Sequence, residues 1–461
     1  MTNLQQRETL PQLQLLKRDE LIAPNGWRMM KRSHWFDYAI LTCAFFLIFH
    51  DLHSPLFLSD DSYMEAYAAS EGTGSIGKQI GVIVLFLYGS FACFFTHKKI
   101  LNFDSLQLKL GAAFLILITV SISWSAAPTA SLARWTGFVA YTLAALGATK
   151  RLSALDVIRW YVFAHFFYLV TGLVDEIVLG TFTPFAGAYR FAGLNLPNNA
   201  GTDAAMLVFS SIAMLRVKPA SRVYIFTLVT AVSFLLLTRS RTSLLSTAFA
   251  LILFYGFVTV RSNRLMPYLC LLGTVVSVSL FVSSQDIDVK GALSMGRAEA
   301  AESTLTGRVP LWTELYEQYI LKRPVLGYGY GGFWTPEQSK IISSDQDWII
   351  GSAHSIYIDA ALTLGLGGLF LYLATLVSVL FRAVREARLG QQDGFFFGCL
   401  ILGALFDGFS DSGPWFISSI YLFGCIQALI AVSSIGDIFL GGRRRKMEVP
   451  YDTHIGIAKT Y

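Results

Sequence analysis

Apolar runs long enough to cross a bilayer recur along this chain, and they set its fold. A hydrocarbon core about 30 Å thick takes roughly 20 residues of helix. Measured that way, the runs fall at about Trp35 to Leu52, Gln79 to Thr96, Leu106 to Trp124, Leu132 to Ala148, Val157 to Leu179, Asn199 to Leu215, Val223 to Leu237, Ser243 to Val260, Leu265 to Ser283, His354 to Phe381, Gly394 to Phe409 and Pro414 to Ser434. The reading is an all-α polytopic membrane protein of about 12 transmembrane helices. Composition agrees: 54% of residues are hydrophobic and 15% charged, against about 25% charged in a soluble domain.

Twelve runs put both termini on one side. With the N-terminus inside, the inner segments carry 25 of the 36 Lys and Arg residues and the outer ones 11, as the positive-inside rule requires. The expected layout is a cytoplasmic tail 1–34, helices 1 to 9 over 35–283, an outer cap over 284–353, helices 10 to 12 over 354–436 and a cytoplasmic tail 437–461. The first apolar run lacks a small-residue cleavage site and should stay as an anchor. Basic residues are spread among short loops rather than gathered in one patch, which disfavours a nucleic-acid partner. The cysteines Cys43, Cys93, Cys270, Cys399 and Cys425 all fall in apolar runs and read as buried, inert thiols.

The cap is too long for a passive linker. Within it Leu311, Trp312, Leu315, Tyr316 and Tyr319 recur at helical spacing opposite Glu314 and Glu317, which predicts an amphipathic helix lying on the membrane or packed on the bundle.

Arginines on the outer side stand where the charge rule discourages them. Arg190 lies in Tyr189-Arg190-Phe191-Ala192-Gly193, ahead of Pro197-Asn198-Asn199; Arg239 and Arg241 lie in Thr238-Arg239-Ser240-Arg241-Thr242, wedged between two apolar runs; Arg308 and Arg323 lie in the cap. A guanidinium offers a planar fork of donors that matches phosphate oxygens two at a time, so several at one face suit a lipid pyrophosphate. An arginine near a helix end also snorkels to headgroups or pairs with a carboxylate. Arg241, with almost no loop around it, is hardest to explain that way. Among seven histidines only His354 combines an outer position with the junction of cap and helix. An imidazole titrating near 6.5 can take a proton from an attacking hydroxyl, and Tyr357, three residues on, is expected on the same helix face.

Other motifs are discounted. Gly327-Tyr328-Gly329-Tyr330-Gly331-Gly332 spells G-x-G-x-x-G but leads into Phe333-Trp334 rather than a helix of a βαβ unit, and reads as a tight turn rimmed by aromatics. Asp286-Ile287-Asp288 and Asp345-Gln346-Asp347 resemble a metal-holding D-x-D but are common in polar loops. No zinc spacing, hydrolase elbow or P-loop is present.

Several of these segments together resemble the O-antigen ligase and polysaccharide polymerase superfamily of bacterial envelope glycosyltransferases. The likeness rests on Arg190-Phe191-Ala192-Gly193 with Pro197-Asn198, Ser240-Arg241-Thr242, Thr306-Gly307-Arg308-Val309-Pro310-Leu311-Trp312, Arg323-Pro324 through Gly332-Phe333-Trp334, Ala353-His354-Ser355-Ile356-Tyr357 and Leu364-Gly365-Leu366-Gly367-Gly368. It covers about residues 185 to 370, and its wording is most similar to exopolysaccharide polymerases of the succinoglycan type. The chain departs from the pattern at Ser355, where the family often has Asn, and at Asp407 and Asp411, where it often has Asn and Glu.

The resemblance implies a GT-C-like, metal-independent transferase without cofactor, which moves a glycan from undecaprenyl pyrophosphate to an acceptor hydroxyl on the periplasmic face of the inner membrane. His354 would be the base and Arg190, Arg241 and Arg308 the pyrophosphate clamp, with Arg239, Arg323, Tyr357 and Asp411 secondary. A chain-length regulator and a flippase are the protein partners it suggests. Polymerase, ligase and protein glycosylase all remain open, and a transporter or flippase is the rival from another class. Mid-span ionisable residues are few, His165, Asp175 and Glu176 being the nearest, and no inverted repeat is visible.

Overall fold

The computed structural model describes residues 32–49, 76–95, 100–186, 189–259, 303–346, 350–409, 411–412 and 420–435. Most of the tail 1–34, all of 437–461, the ninth apolar run, the cap before Ser303, and Cys270, Asp286, Asp288 and Asp347 lie outside these residues. Among the described residues the chain is helical, apart from a two-residue antiparallel pairing of β1 (Ile100–Leu101) with β2 (Ser434–Ile435).

The helices are α1 (Arg32–Phe49), α2 (Ile76–Phe95), α3 (Leu106–Ser121), α4 (Pro128–Arg151), α5 (Ala154–Val178), α6 (Pro197–Val217), α7 (Arg222–Leu237), α8 (Arg241–Thr259), α9 (Ser303–Glu314), α10 (Pro336–Gln346), α11 (Ile356–Arg388), α12 (Gln392–Asp407) and α13 (Ile420–Val432). All but α9 and α10 coincide with expected apolar runs. Six are long and apolar enough to cross a bilayer: α2, α3 with the turn that follows it, α5, α6, α8 and α11, while α1, α7 and α13 are shorter apolar helices. Lipid offers no partner for the peptide group, so such runs must close their hydrogen bonds internally, and the helix does this. Local signals mark the starts. Ser105 and Ser153 accept from the N–H three residues on, and Pro128 and Pro197 open α4 and α6 at positions where no N–H is needed.

The two ends of the bundle differ in charge chemistry. At one end Arg151 pairs with buried Asp37 at 2.5 Å, Arg159 with Asp156 at 2.7 Å, Arg216 with Gln392 at 2.9 Å, and Arg388 with the Phe257 carbonyl at 3.0 Å. These are residues that charge counting assigns inside. The opposite end gathers the starts of α4, α6, α8 and α11. Between them His165 and Asp203 form a fully enclosed pair, 2.9 Å apart, with the rings of Phe45 and Tyr161 against the imidazole. One cysteine departs from expectation, since Cys43 is exposed on α1.

The described part of the cap has a small core of its own. Leu311, Leu315, Ile320, Phe333, Trp334, Ile342 and Ile350 pack together and seal onto Ala361 and Leu362 of α11. The amphipathic helix is therefore packed on the bundle, with Trp312 Nε1 donating to the Ala353 carbonyl at 2.7 Å. Tyr316 departs from the predicted stripe and is 53% exposed. It sits at the edge of the apolar face, where the backbone widens into a π-helical turn over Leu315–Ile320 and rotates the stripe.

The aromatic turn is as the sequence suggests: Gly327, Gly329 and Gly331 all take positive φ, and the rings of Tyr319, Tyr328 and Phe333 meet edge-on. This turn breaks α11. At Gly365 the backbone takes φ +70°, ψ −178°, a conformation that a Cβ disfavours. Leu366 N–H then donates to the Pro324 carbonyl at 2.7 Å, and the Leu362 carbonyl accepts from Tyr328 N–H at 2.9 Å. The cap thus replaces the hydrogen bonds that the helix gives up.

Candidate functional site

Two corners form at the end of the bundle where α6, α8 and α11 begin. The first is built from the three residues that join α7 to α8, Thr238-Arg239-Ser240. Such a short connection forces a strained backbone, and Arg239 takes φ +45°. Ser240 caps α8 by accepting from Ser243 N–H at 3.4 Å, and its hydroxyl is 3.3 Å from Asn198 Oδ1 in the first turn of α6. Arg190 joins from the preceding loop, donating through Nε to the Thr238 carbonyl at 3.1 Å and through an Nη to Asn198 Oδ1 at 3.0 Å. Arg241 is the first residue of α8, and among the described residues its guanidinium makes no hydrogen bond or ion pair. The Arg190 guanidinium therefore meets two helix N-termini, the second of which opens on Arg241, an arrangement that favours an anion.

The second corner surrounds His354. It is the other non-glycine residue at positive φ among the described residues, at +49°, and α11 begins only at Ile356. Arg308 of α9 lies near enough for its charge to act on the imidazole. Burial first, and that charge second, push the His354 pKa from 6.5 down to about 4. Burial likewise lowers Arg308, against the opposing pull of the Asp411 and Asp407 carboxylates. The site at rest holds a neutral imidazole beside a guanidinium.

The residue before His354 is anchored by Asp359, an acid with no motif around it in the sequence. Its buried carboxylate accepts from Trp334 Nε1 at 2.6 Å and from Ala353 N–H at 3.3 Å. One carboxylate thus joins the aromatic turn to the residue before His354. Asp359→Ala would leave a buried indole N–H and a backbone N–H without acceptor, at about 1–3 kcal/mol each. We expect it to lower turnover at least tenfold while donor binding, measured on protein in nanodiscs, stays within about threefold. Equal losses in both would mean general unfolding instead.

A chain of electrostatic influence runs from one corner to the other. Ser246, about 7.5 Å along α8 from Arg241 at 1.5 Å per residue, is hydrogen-bonded to Tyr421, which feels the charges of Asp407 and Asp411. Those carboxylates in turn act on Arg308, and Arg308 acts on His354. The secondary candidates fare unevenly. Asp411 belongs to the second corner and Arg239 to the first. Tyr357 does not share a helix face with His354, because the chain leaves the helix before reaching the histidine; its hydroxyl is spent on the Leu405 carbonyl and its ring on Phe409. Arg323 stacks over the Tyr328 ring at 4.8 Å, within the aromatic turn.

The family model described as O-antigen ligase matches residues 226–373. The exopolysaccharide production protein ExoQ of Rhizobium meliloti (strain 1021) is 26% identical over 299 residues, which are 61% of this chain and 66% of that protein, just under two thirds of its length. These findings support the O-antigen ligase and polymerase family. The segment matched by the family model runs from α7 into α11, and so contains Arg239, Arg241, Arg308, Arg323, His354 and Asp359. Arg190 and Asp411 lie outside it; Arg190 is hydrogen-bonded to Thr238 within it, and the charge of Asp411 acts on Arg308.

Proposed function

We propose that this chain is a bacterial inner-membrane glycosyltransferase of about twelve transmembrane helices, with both termini cytoplasmic, which joins undecaprenyl-pyrophosphate-linked oligosaccharide repeat units into exopolysaccharide or O-antigen at the periplasmic face. The observation that supports this reading is the meeting of the Arg190 guanidinium with the N-termini of α6 and α8, with Arg241 as the first residue of α8. That corner suits an anion with several non-bridging oxygens, and pyrophosphate is the charged part of such a donor. An acceptor hydroxyl attacks the anomeric carbon, His354 takes its proton, and the bond from that carbon to the phosphate oxygen breaks. The leaving pyrophosphate keeps its electron pair and is stabilised by Arg190, Arg241 and Arg308 without a metal.

Arg308 has two parts in this scheme. Before the donor arrives its charge helps keep His354 neutral; once pyrophosphate offsets that charge, the imidazole regains basicity at the moment it is needed. A profile of kcat/KM against pH reports the donor-free protein, and a protonated imidazole cannot accept a proton. The acid limb should therefore fall near 4 rather than near 6.5. Arg308→Gln removes a charge that opposes protonation and should move the limb to higher pH. A wild-type limb at 6.5, or one that Arg308→Gln leaves in place, would refute this part.

The matched family's description favours a second reading, transfer of finished lipid-linked glycan to lipid A-core by the same chemistry. A deletion strain separates the two. Loss of long polymer with single repeat units retained supports the polymerase, whereas lipid-linked polymer that fails to reach lipid A supports the ligase. Loss of polymer with repeat units trapped on the cytoplasmic side would point to a flippase instead.

A further inference from the structure

A buried acid that this scheme does not use lies at the end of α5. Glu176 is 1% exposed, and its carboxylate is spent on a single loop. Oε1 accepts from the backbone N–H groups of Ala192 and Gly193, each at 2.8 Å, and Oε2 accepts from the Tyr189 hydroxyl at 2.5 Å. The carbonyl of the same residue accepts from Thr181 N–H at 2.9 Å and Phe182 N–H at 3.2 Å. Helix end and loop are thus knotted through one side chain and its own backbone.

The groups that Glu176 holds bracket Arg190, with Tyr189 before it and Ala192 and Gly193 after it. From the other side Phe191 N–H donates to the Leu237 carbonyl at 2.9 Å, and Arg190 Nε to the Thr238 carbonyl at 3.1 Å. The loop has no slack: Gly193 takes φ +60°, and a Cβ on Gly172 of α5 would come within 2.7 Å of its Cα. Two N–H donors converging on one carboxylate oxygen make charge-assisted bonds, roughly twice as strong as neutral ones. Among the described residues no cation pairs with this carboxylate. If only packing were at stake, an apolar side chain would serve as well without the cost of burying a charge.

We propose that Glu176 is a positioning residue, whose carboxylate fixes the turn from Tyr189 to Gly193 so that the Arg190 guanidinium meets the anionic donor in one geometry; this rests on the reading of Arg190 as a donor clamp. The test uses the full chain in nanodiscs, with hydrogen–deuterium exchange over residues 189–196 followed beside donor KM and kcat. Glu176→Ala should speed exchange in that segment at least tenfold with the rest of the protein unchanged, and raise donor KM at least tenfold with a smaller effect on kcat. Glu176→Gln keeps an oxygen for both N–H groups and should stay within about threefold of wild type. Tyr189→Phe, which removes only the hydroxyl, should raise KM severalfold and keeps the proposal testable if the alanine variant does not fold. Added to Arg190→Ala, Glu176→Ala should cost little more, because both act through one group. Unchanged exchange in Glu176→Ala, wild-type behaviour of Tyr189→Phe, or fully multiplicative losses in the double variant would overturn the proposal. Faster exchange with unchanged KM would overturn the clamp reading of Arg190, and the link from Glu176 to the donor with it.

Discussion

His354→Ala is expected to abolish glycan transfer while leaving the lipid-linked donor bound. The imidazole stands where cap and bundle meet, on a backbone at φ +49° beside a residue that Asp359 anchors. A residue kept in so sparsely populated a conformation costs on the order of 1–3 kcal/mol, and packing alone gives no reason to retain it. Removal of a general base typically lowers the rate by about 10² to 10⁴. Donor affinity should change little, since Arg190 and Arg241 sit in the other corner. The check is purified variant in detergent or nanodisc, with binding and turnover followed separately and a chelator present. Turnover within a few-fold of wild type would remove His354 as the base. Wild-type turnover abolished by the chelator would bring back Asp286 and Asp288 as a metal site.

Arg241→Lys should be nearly as damaging, although it preserves charge. Arg190 already spends donors on Thr238 and Asn198, whereas the Arg241 guanidinium has none engaged among the described residues. On the reading of this corner as a donor site, we expect its fork to grip the ligand. An ammonium is a compact point charge and cannot grip two phosphate oxygens in one plane. Losing one charge-assisted bond of about 1.5–3 kcal/mol corresponds to roughly 10- to 100-fold in donor use. Complementation of a deletion strain, with polymer length read on gels and expression by blot, gives the result. Full-length polymer from the Lys variant would count against clamping at this position. Arg239→Lys should be milder, because Arg241 rather than Arg239 is the position that the family resemblance marks.

The helices and the candidate arginines were legible because they depend on what a short stretch of sequence contains. An apolar run announces a membrane helix by length, and an arginine on the wrong side of the charge rule announces itself by position. Asp359 gave no such signal, and Glu176 showed only as an acid within an apolar run, without its partners. Each acts by accepting hydrogen bonds from residues near in space, and Trp334 stands 25 residues from Asp359, Gly193 17 from Glu176. Tyr357 misled for a related reason. Three-residue spacing puts side chains on one face only if the helix includes both residues, and the positive φ of His354 ends it first. Gly365 was visible in Leu364-Gly365-Leu366, but a glycine inside an apolar run does not show whether the helix continues through it.

That glycine has a mechanical consequence. Residues 366–388 are long enough to cross the bilayer by themselves, while residues 356–364 take their direction from the loop around Pro324 and Tyr328. A membrane helix adapts to bilayer thickness by tilting, and a rigid rod through both segments would carry that tilt to the ground on which His354 stands. The break at Gly365 interrupts that rod. We expect a change in membrane composition to alter the lean of the long segment more than the setting of His354.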